Sequence, residues 1–412
     1  MAQIIPFRAI RPTRDKAYHV ASRSYVSYSH AHLHHKLSNN PYSFIHIINP
    51  EFFKKGYKQR GIKKFEKVRE KLQEWREKGI FFKEEKPSIY LYEQIKAGKS
   101  FTGVICGIHV NDYHQGRIKK HESTLRKREM MFKDYLQVTG FNAEPVLLTY
   151  PHLPGLDALV EKYKQTRAEY EYASTDELIH HLWVIDDEKD IEAIQAYFKK
   201  VKSIYIADGH HRCSSSALLA ETLNGGITHG NAPHDYLMAY LIPDDGLSIV
   251  DFNRLVKSDK PLHSINLLQK LEAHFNITPM GKQQQRPSRP QEMTMYTDGL
   301  WYVLQLKKEL LRGKEPLELL DAQLLTDYIL KPVFGIEDLK HDQRIYFMDG
   351  THGMDGLQKE VDKKRADVAF ALYPVQVEQL KYIADHNLVM PPKSTYIEPK
   401  MRSGMLIYPL EE

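Results

Sequence analysis

Ser203-Ile-Tyr-Ile-Ala-Asp-Gly-His-His-Arg-Cys-Ser-Ser-Ser-Ala217 decides how the rest of the chain is read. Ile204, Tyr205 and Ile206 form an unbroken β-prone run. Asp208-Gly209 supplies turn chemistry, and residues 214–223 have helix-compatible spacing. The stretch predicts a strand, a tight turn, and a helix whose first turn carries His210, His211 and Arg212. Unpaired N–H groups and a partial positive charge at a helix N-terminus attract anions. An arginine, two imidazoles and the three hydroxyls of Ser214, Ser215 and Ser216 gather donors suited to phosphate or carboxylate there. Asp208, at the strand end, is placed to take a proton or hold a metal. The plainer reading makes Asp208 an N-cap and the serines solvated. A His-His-Arg triplet directly after an apolar strand favours function.

The 412 residues are 42% hydrophobic and 27% charged, enough for a sizeable core and for two or three domains of a soluble protein. No apolar run approaches the length of a membrane span, and the first residues lack a signal-peptide pattern, so no membrane partner is expected. Cys106 and Cys213 cannot frame a disulfide network, which points to a reducing cytoplasm. A formal charge of +5 suits anionic small molecules and argues against nucleic acid as the main partner. Nothing in the pattern excludes a homo-oligomer.

Along the chain, His30, His32, His34 and His35 have i, i+4 and i, i+3 spacings a metal would accept, but no acidic partner, so a polar helix face is the better reading. Residues 39–48 read as a turn into a buried strand. Phe65, Val68, Leu72 and Trp75 mark an amphipathic helix over 61–78, and 88–94 with 101–110 a hairpin. Lys119, Lys120, His121, Glu122, Arg126 and Arg128 then crowd the entrance of a helix, where cations oppose the helix dipole unless an anion compensates. Glu122 is the carboxylate nominated as general base or metal-organiser, the plainer reading being an exposed, salt-bridged helix start. Beyond it come a strand (143–150), a helix (155–171), a helix or loop (174–182), a strand (183–185), a helix (190–200), and a strand (235–241). This alternation predicts α+β layering.

A change of texture near 258–261 places the domains at 1–255 and 256–412. The second is expected to hold a helix (263–274), a hairpin (293–296 with 300–306), a helix (321–330), a strand (344–348), a helix (375–385) and a Pro-rich tail. In that tail Lys393, Ser394, Thr395 and Lys400 present cationic and hydroxyl groups to an anion, or the tail straps the core.

Five segments in order carry a family resemblance: Asn40-Pro-Tyr-Ser-Phe-Ile-His46, Gly116-Arg-Ile-Lys-Lys-His-Glu-Ser-Thr124, Ile206-Ala-Asp-Gly-His-His-Arg212, Asp321-Ala-Gln-Leu-Leu325 and Met390-Pro-Pro-Lys-Ser-Thr-Tyr396. Together they resemble a bacterial family catalogued as domain of unknown function 1015. Asp208-Gly-His-His-Arg212 separately resembles the motif of free-serine kinases on the ParB/sulfiredoxin-like fold. That resemblance implies an α+β fold with a ParB/sulfiredoxin-like core. It implies Asp208 acting on a hydroxyl or a magnesium ion, with Gly209, His210, His211 and Arg212 on nucleotide phosphates. His211 or Arg212 would neutralise the transferring phosphoryl group. Those kinases also use a glutamate that no motif aligns here, and Glu122 is inferred for the part. Ser214, Lys120, His121, Arg126, Lys393, Ser394 and Thr395 complete the expected phosphate set.

The expectation is a cytoplasmic, magnesium-dependent phosphotransferase between ADP or ATP and serine, phosphoserine or a similar small hydroxy metabolite. It would work mainly by positioning and charge neutralisation. No P-loop or protein-kinase signature is present. Two alternatives stand beside it. One is a nucleotide-binding, ParB-like regulator without turnover. The other is a metal-dependent phosphoserine phosphatase or other hydrolase using His210, His211, His121 and Glu122.

Overall fold

The computed structural model describes residues 2–25, 28–227 and 230–411. The chain divides into two compact units, residues 1–247 with 399–412 and residues 248–398. Both mix helices and strands. The expected boundary at 255/256 lies inside the strand Phe252–Val256, and the segment from 399 onward counts with the first unit.

A nine-stranded mixed sheet runs through the first unit. Four of its strands concern the site: Ile118–Lys119 (β1), Val146–Tyr150 (β2), Ile204–Asp208 (β3) and Tyr236–Pro243 (β4). Their order in space is β1-β3-β2-β4, continuing through Lys99–His109, Ile89–Lys96, Ile179–Ile185 and Tyr170–Ala173, with Ile4–Ile5 added beside Lys99–His109. β3 runs parallel to β1 and antiparallel to β2, and its pairing with β2 is irregular between Ile206 and Asp208. Three helices matter most: Ile62–Glu77 (α1), Arg126–Thr139 (α2) and His210–Asn224 (α3). Ile204 and Ile206 of β3 share one apolar core with Cys213, Ala217 and Ala220 of α3. That core fixes the strand–turn–helix read from the sequence. Val68, Leu72 and Trp75 of α1 are buried, as their spacing predicts.

Two local readings change. Residues 45–48 form a single helical turn, not a strand. The β-branched isoleucines suit either state when Phe44, Ile45 and Ile47 are all fully buried, and packing overrides propensity there. The helix after Pro154 stops at Lys164, Tyr170–Ala173 is a strand, and Ile179–Ile185 pairs along its whole length with Ile89–Lys96. His180 hid that strand. It sits fully buried at a core position with Nδ1 2.8 Å from the Tyr92 hydroxyl, and burial pushes its pKa down to about 3.

The second unit holds a six-stranded antiparallel sheet in the order Phe275–Gly281, Leu300–Leu306, Glu292–Thr297, Val368–Ala371, Phe252–Val256, Ile345–Asp349. Its central hairpin turns at Asp298-Gly299, both with positive φ, as an Asp-Gly turn between paired strands requires. No helix among the described residues is long and apolar enough to cross a membrane.

The returning segment is stitched into the first unit by strand pairing of Tyr408–Pro409 with Phe141–Asn142 and by Arg402. Arg402 is buried, and its Nη2 lies 2.7 and 2.6 Å from the two Asp176 carboxylate oxygens. Burial works against the Asp176 charge, but the hydrogen bond and charge of Arg402 hold its carboxyl at about 2. A carboxyl depressed by folding adds stability above its ordinary value and loses it as pH falls through the folded one. Arg402→Gln should therefore cost roughly 2 to 3 kcal/mol at neutral pH, the low side for a buried pair because Asp176 is partly exposed. Part of the pH dependence between 3.8 and about 2 should vanish with it. Urea unfolding across pH checks this, and an unchanged midpoint at neutral pH would remove Arg402 from the account of the fold.

Candidate active site

Ile204 pairs with Ile118 and Tyr205 with Lys119, in parallel. Two parallel neighbours leave a sheet at the same end, so residues 120–125 emerge beside the Asp208-Gly209 turn. The two polar motifs, separated by about 90 residues in sequence, thereby become one cluster. Gly209 caps α3 with φ +101°, and a Cβ there would stand 3.0 Å from Arg212 Nε and Nη2. Only glycine meets both demands. As the N-cap residue, Gly209 offers no side chain of its own to the first N–H groups of α3.

Arg212 folds back over that glycine. Its Nη1 donates to the Pro145 carbonyl and lies 3.8 Å from Glu144, and its Nη2 donates to Asp208 Oδ2 at 3.4 Å. Lys400 Nζ, from the returning segment, lies 3.4 Å from the same oxygen. Asp208 thus sits between two cations while its side chain stays 42% exposed. Lys400 had been read only as one cation of a tail. Glu144, a carboxylate directly before a buried strand, had not been read at all.

Three imidazoles pack behind this turn, and burial makes all of them poor proton acceptors. His121 and His210 meet edge to face with ring centroids 4.5 Å apart. His210 Nδ1 lies 3.4 Å from Glu122 Oε2, and its Nε2 accepts a long 3.5 Å bond from the His121 N–H. Burial, then the nearby His121, His211 and Lys120, pushes His210 well below its ordinary pKa. Burial lowers His121 to about 4 against the pull of Asp208, and its Nδ1 has no partner among the described residues. His211 differs from expectation. Its Nε2 accepts the Leu125 N–H at 3.1 Å, at the start of α2, so the ring is neutral and tied to a neighbouring helix. A ring held this way cannot carry the positive charge a transferring phosphoryl group needs.

Lys120 is exposed, its Nζ 5.8 Å from the Tyr113 ring, and Arg126 is exposed beside Glu129. Ser214 is buried, and its hydroxyl donates to the His211 carbonyl within α3. Lys393, Ser394 and Thr395 belong to the second unit. There Lys393 Nζ lies 5.4 Å from the Phe252 ring, and the buried Ser394 hydroxyl donates to the Pro391 carbonyl. Among the described residues no group of three or more His, Cys, Asp and Glu side chains is arranged to hold a metal, His30–His35 included. In the residues of the hydrolase alternative, Nε2 of His210 accepts a long bond from the His121 N–H and Nε2 of His211 accepts the Leu125 N–H. Magnesium asks less, since it keeps its waters and takes one or two carboxylates with substrate phosphates. The exposed carboxylate of Asp208 fits that demand.

His211→Ala should cost about 1 kcal/mol, as the loss of a helix-capping acceptor does. Folding favours the neutral ring, so its contribution is complete above pH 6.5 and fades as pH falls through the lower folded value. The stability gap between the wild type and the variant should narrow in acid. A gap constant with pH would refute the cap.

Comparison with known proteins adds the following. Among solved structures, SbnI with a C-terminal truncation from Staphylococcus aureus is similar over 74% of this chain and 87% of its own, at 13% identity and TM-score 0.40. A conserved hypothetical protein from Pyrococcus furiosus is similar over 73% and 94%, at 14% identity and TM-score 0.34. A free serine kinase in complex with AMP is similar over 73% and 91%, at 12% identity and TM-score 0.36. No curated protein matches the sequence. Residues 4–323 match the family described as protein of unknown function (DUF1015), and the chain belongs to that family.

Proposed function

We propose that the chain is a magnesium-dependent phosphotransferase, working between an adenine nucleotide and serine, phosphoserine or a similar small hydroxy metabolite on a ParB/sulfiredoxin-like core. One observation carries the reading. The parallel pairing of β1 with β3 brings the loop carrying Lys120 and Glu122 out at the end of the sheet where Asp208 leads into α3, and Lys400 reaches Asp208 from a third segment.

Phosphoryl transfer asks little covalent chemistry of a protein and much positioning and charge. The N–H groups at the start of α3, with Arg212, Lys400 and Lys120, provide donors for phosphate oxygens. Asp208 would hold a magnesium ion, which when bound would offset charge on the phosphates, while Arg212 and Lys400 would turn from Asp208 to phosphate oxygens. Glu122, partly exposed and held near His210, takes the proton of the attacking hydroxyl. The neutral histidines keep the rear of the site free of competing positive charge. His211 supports the helix start instead of the phosphoryl group.

Phosphorus NMR with magnesium tests the reading, using ATP plus serine and ADP plus phosphoserine. Phosphoserine from the first mixture, or ATP from the second, is the expected result. Inorganic phosphate from phosphoserine without nucleotide would replace it with a hydrolase. Salt-sensitive nucleotide binding without any turnover would replace it with a regulator. Asp208→Asn should reduce turnover by about a hundredfold or more while nucleotide still binds. Arg212→Ala and Lys400→Ala should each weaken nucleotide binding by about 1.5 to 3 kcal/mol, the scale of a charged hydrogen bond. Full activity in Asp208→Asn would rule out the proposed site.

A further inference from the structure

Next to Arg212 the first unit encloses a cavity of about 240 Å³ that the phosphate chemistry leaves unused. Its walls come from α1, α2, the start of α3, the Asn142–Glu144 segment and residues between 25 and 48. Tyr25, Phe44, Phe65, Phe132 and Tyr135 bring five aromatic rings to it, and Val68 and Leu136 add aliphatic wall. A serine-sized, doubly charged metabolite has no use for such walls. A flat heterocycle has, because aromatic and aliphatic side chains cover both of its faces.

Some polar groups at the cavity are held by the protein, Ser215 by the His211 carbonyl and Glu144 by the Ser403 hydroxyl, but three have no partner among the described residues. Asn142 is more than nine-tenths buried; its Oδ1 accepts the Glu144 N–H at 3.1 Å, and its Nδ2 donates to no described residue. Ser216 is equally buried, and no described residue hydrogen-bonds its hydroxyl or that of Tyr135. None of these three atoms is fully enclosed, so each faces space that water or a ligand can fill. Arg212 lines this cavity and also reaches Asp208, so one side chain joins the apolar chamber to the charged turn.

We infer that the cavity is the base pocket of the nucleotide site and that Asn142 selects adenine. The inference rests on the nucleotide reading above. An asparagine amide matches the donor–acceptor edge of adenine, giving Nδ2–H to a ring nitrogen and taking the amino hydrogen on Oδ1. Guanine presents a carbonyl where adenine has its amino group, which leaves the Oδ1 contact without a donor. The ring lies against the aromatic walls, and the phosphates run past Arg212 to the start of α3.

Calorimetry with ATP, GTP, adenosine and tripolyphosphate separates the parts. The expected wild type binds ATP more tightly than GTP, and adenosine without phosphates still binds. Ala143→Leu, which fills the cavity, should weaken ATP and adenosine by about tenfold or more, the scale of one stacked base, and leave tripolyphosphate unchanged. Asn142→Asp keeps the acceptor for the Glu144 N–H and removes the amide donor, and should erase the preference for ATP over GTP. Failure of adenosine to bind while tripolyphosphate binds would overturn the base pocket and spare the phosphate site. Adenosine binding that Ala143→Leu weakens, with no tripolyphosphate binding, would do the reverse. Binding of neither would overturn both. Photolabelling of the wild type with 8-azido-ATP avoids any folding defect. Label on peptides spanning 62–77 or 126–144 is expected, and label confined elsewhere would sink the inference.

Discussion

Two short parallel backbone pairs, Ile204 with Ile118 and Tyr205 with Lys119, hold together everything of chemical interest in the first unit. The β1 strand has only those two residues, so it contributes little stability by itself. Its value is directional. Because it runs the same way as β3, both chains leave the sheet at one end, and a lysine–histidine–glutamate loop is delivered next to an aspartate–glycine turn. An antiparallel edge would have sent that loop to the opposite end and left each motif an ordinary polar surface.

Electrostatics then sorts the cluster into a charged front and a neutral back. Asp208 keeps exposed carboxylate surface between Arg212 and Lys400. His121 and His210 sit behind, in surroundings where an imidazolium would lose too much hydration to persist. The same desolvation makes His211 a dependable acceptor for the start of α2. α2 and α3 are therefore joined through a hydrogen bond whose direction depends on the ring staying neutral. The position of the charged front depends in turn on that neutral support.

The sequence made some of this legible and concealed the rest for identifiable reasons. The unit from Ile204 to the end of α3 was readable because apolar run, Asp-Gly turn and helical spacing all agree locally. The second-unit hairpin at Asp298-Gly299 was readable on the same grounds. The strand at Ile179–Ile185 was not, since a buried neutral histidine looks polar on paper while behaving as core. His211 was read as a ligand for phosphate because its partner, the Leu125 N–H, belongs to a helix start 86 residues away. Lys400 stood out as a cation, but linear order contains no sign that residues past 399 return to the first unit. The cavity walls were hidden in a different way: Phe65 and Val68 follow the spacing of a simple core face, and a face that lines a void carries the same pattern.

That return has a consequence for how the protein comes into being. Residues 248–398 interrupt the first unit, whose final pieces are Arg402 on Asp176, the strand Tyr408–Pro409 and Lys400 on Asp208. A ribosome makes the chain from its N-terminus, so Asp208 and Arg212 are synthesised long before the lysine that joins them. A chain broken anywhere within the second unit carries the Asp-Gly-His-His-Arg turn yet lacks the second cation on Asp208. The charge balance around Asp208 thus depends on whether synthesis has passed Lys400. Fragments would differ from the whole protein at the site itself, however well their own sheet had formed.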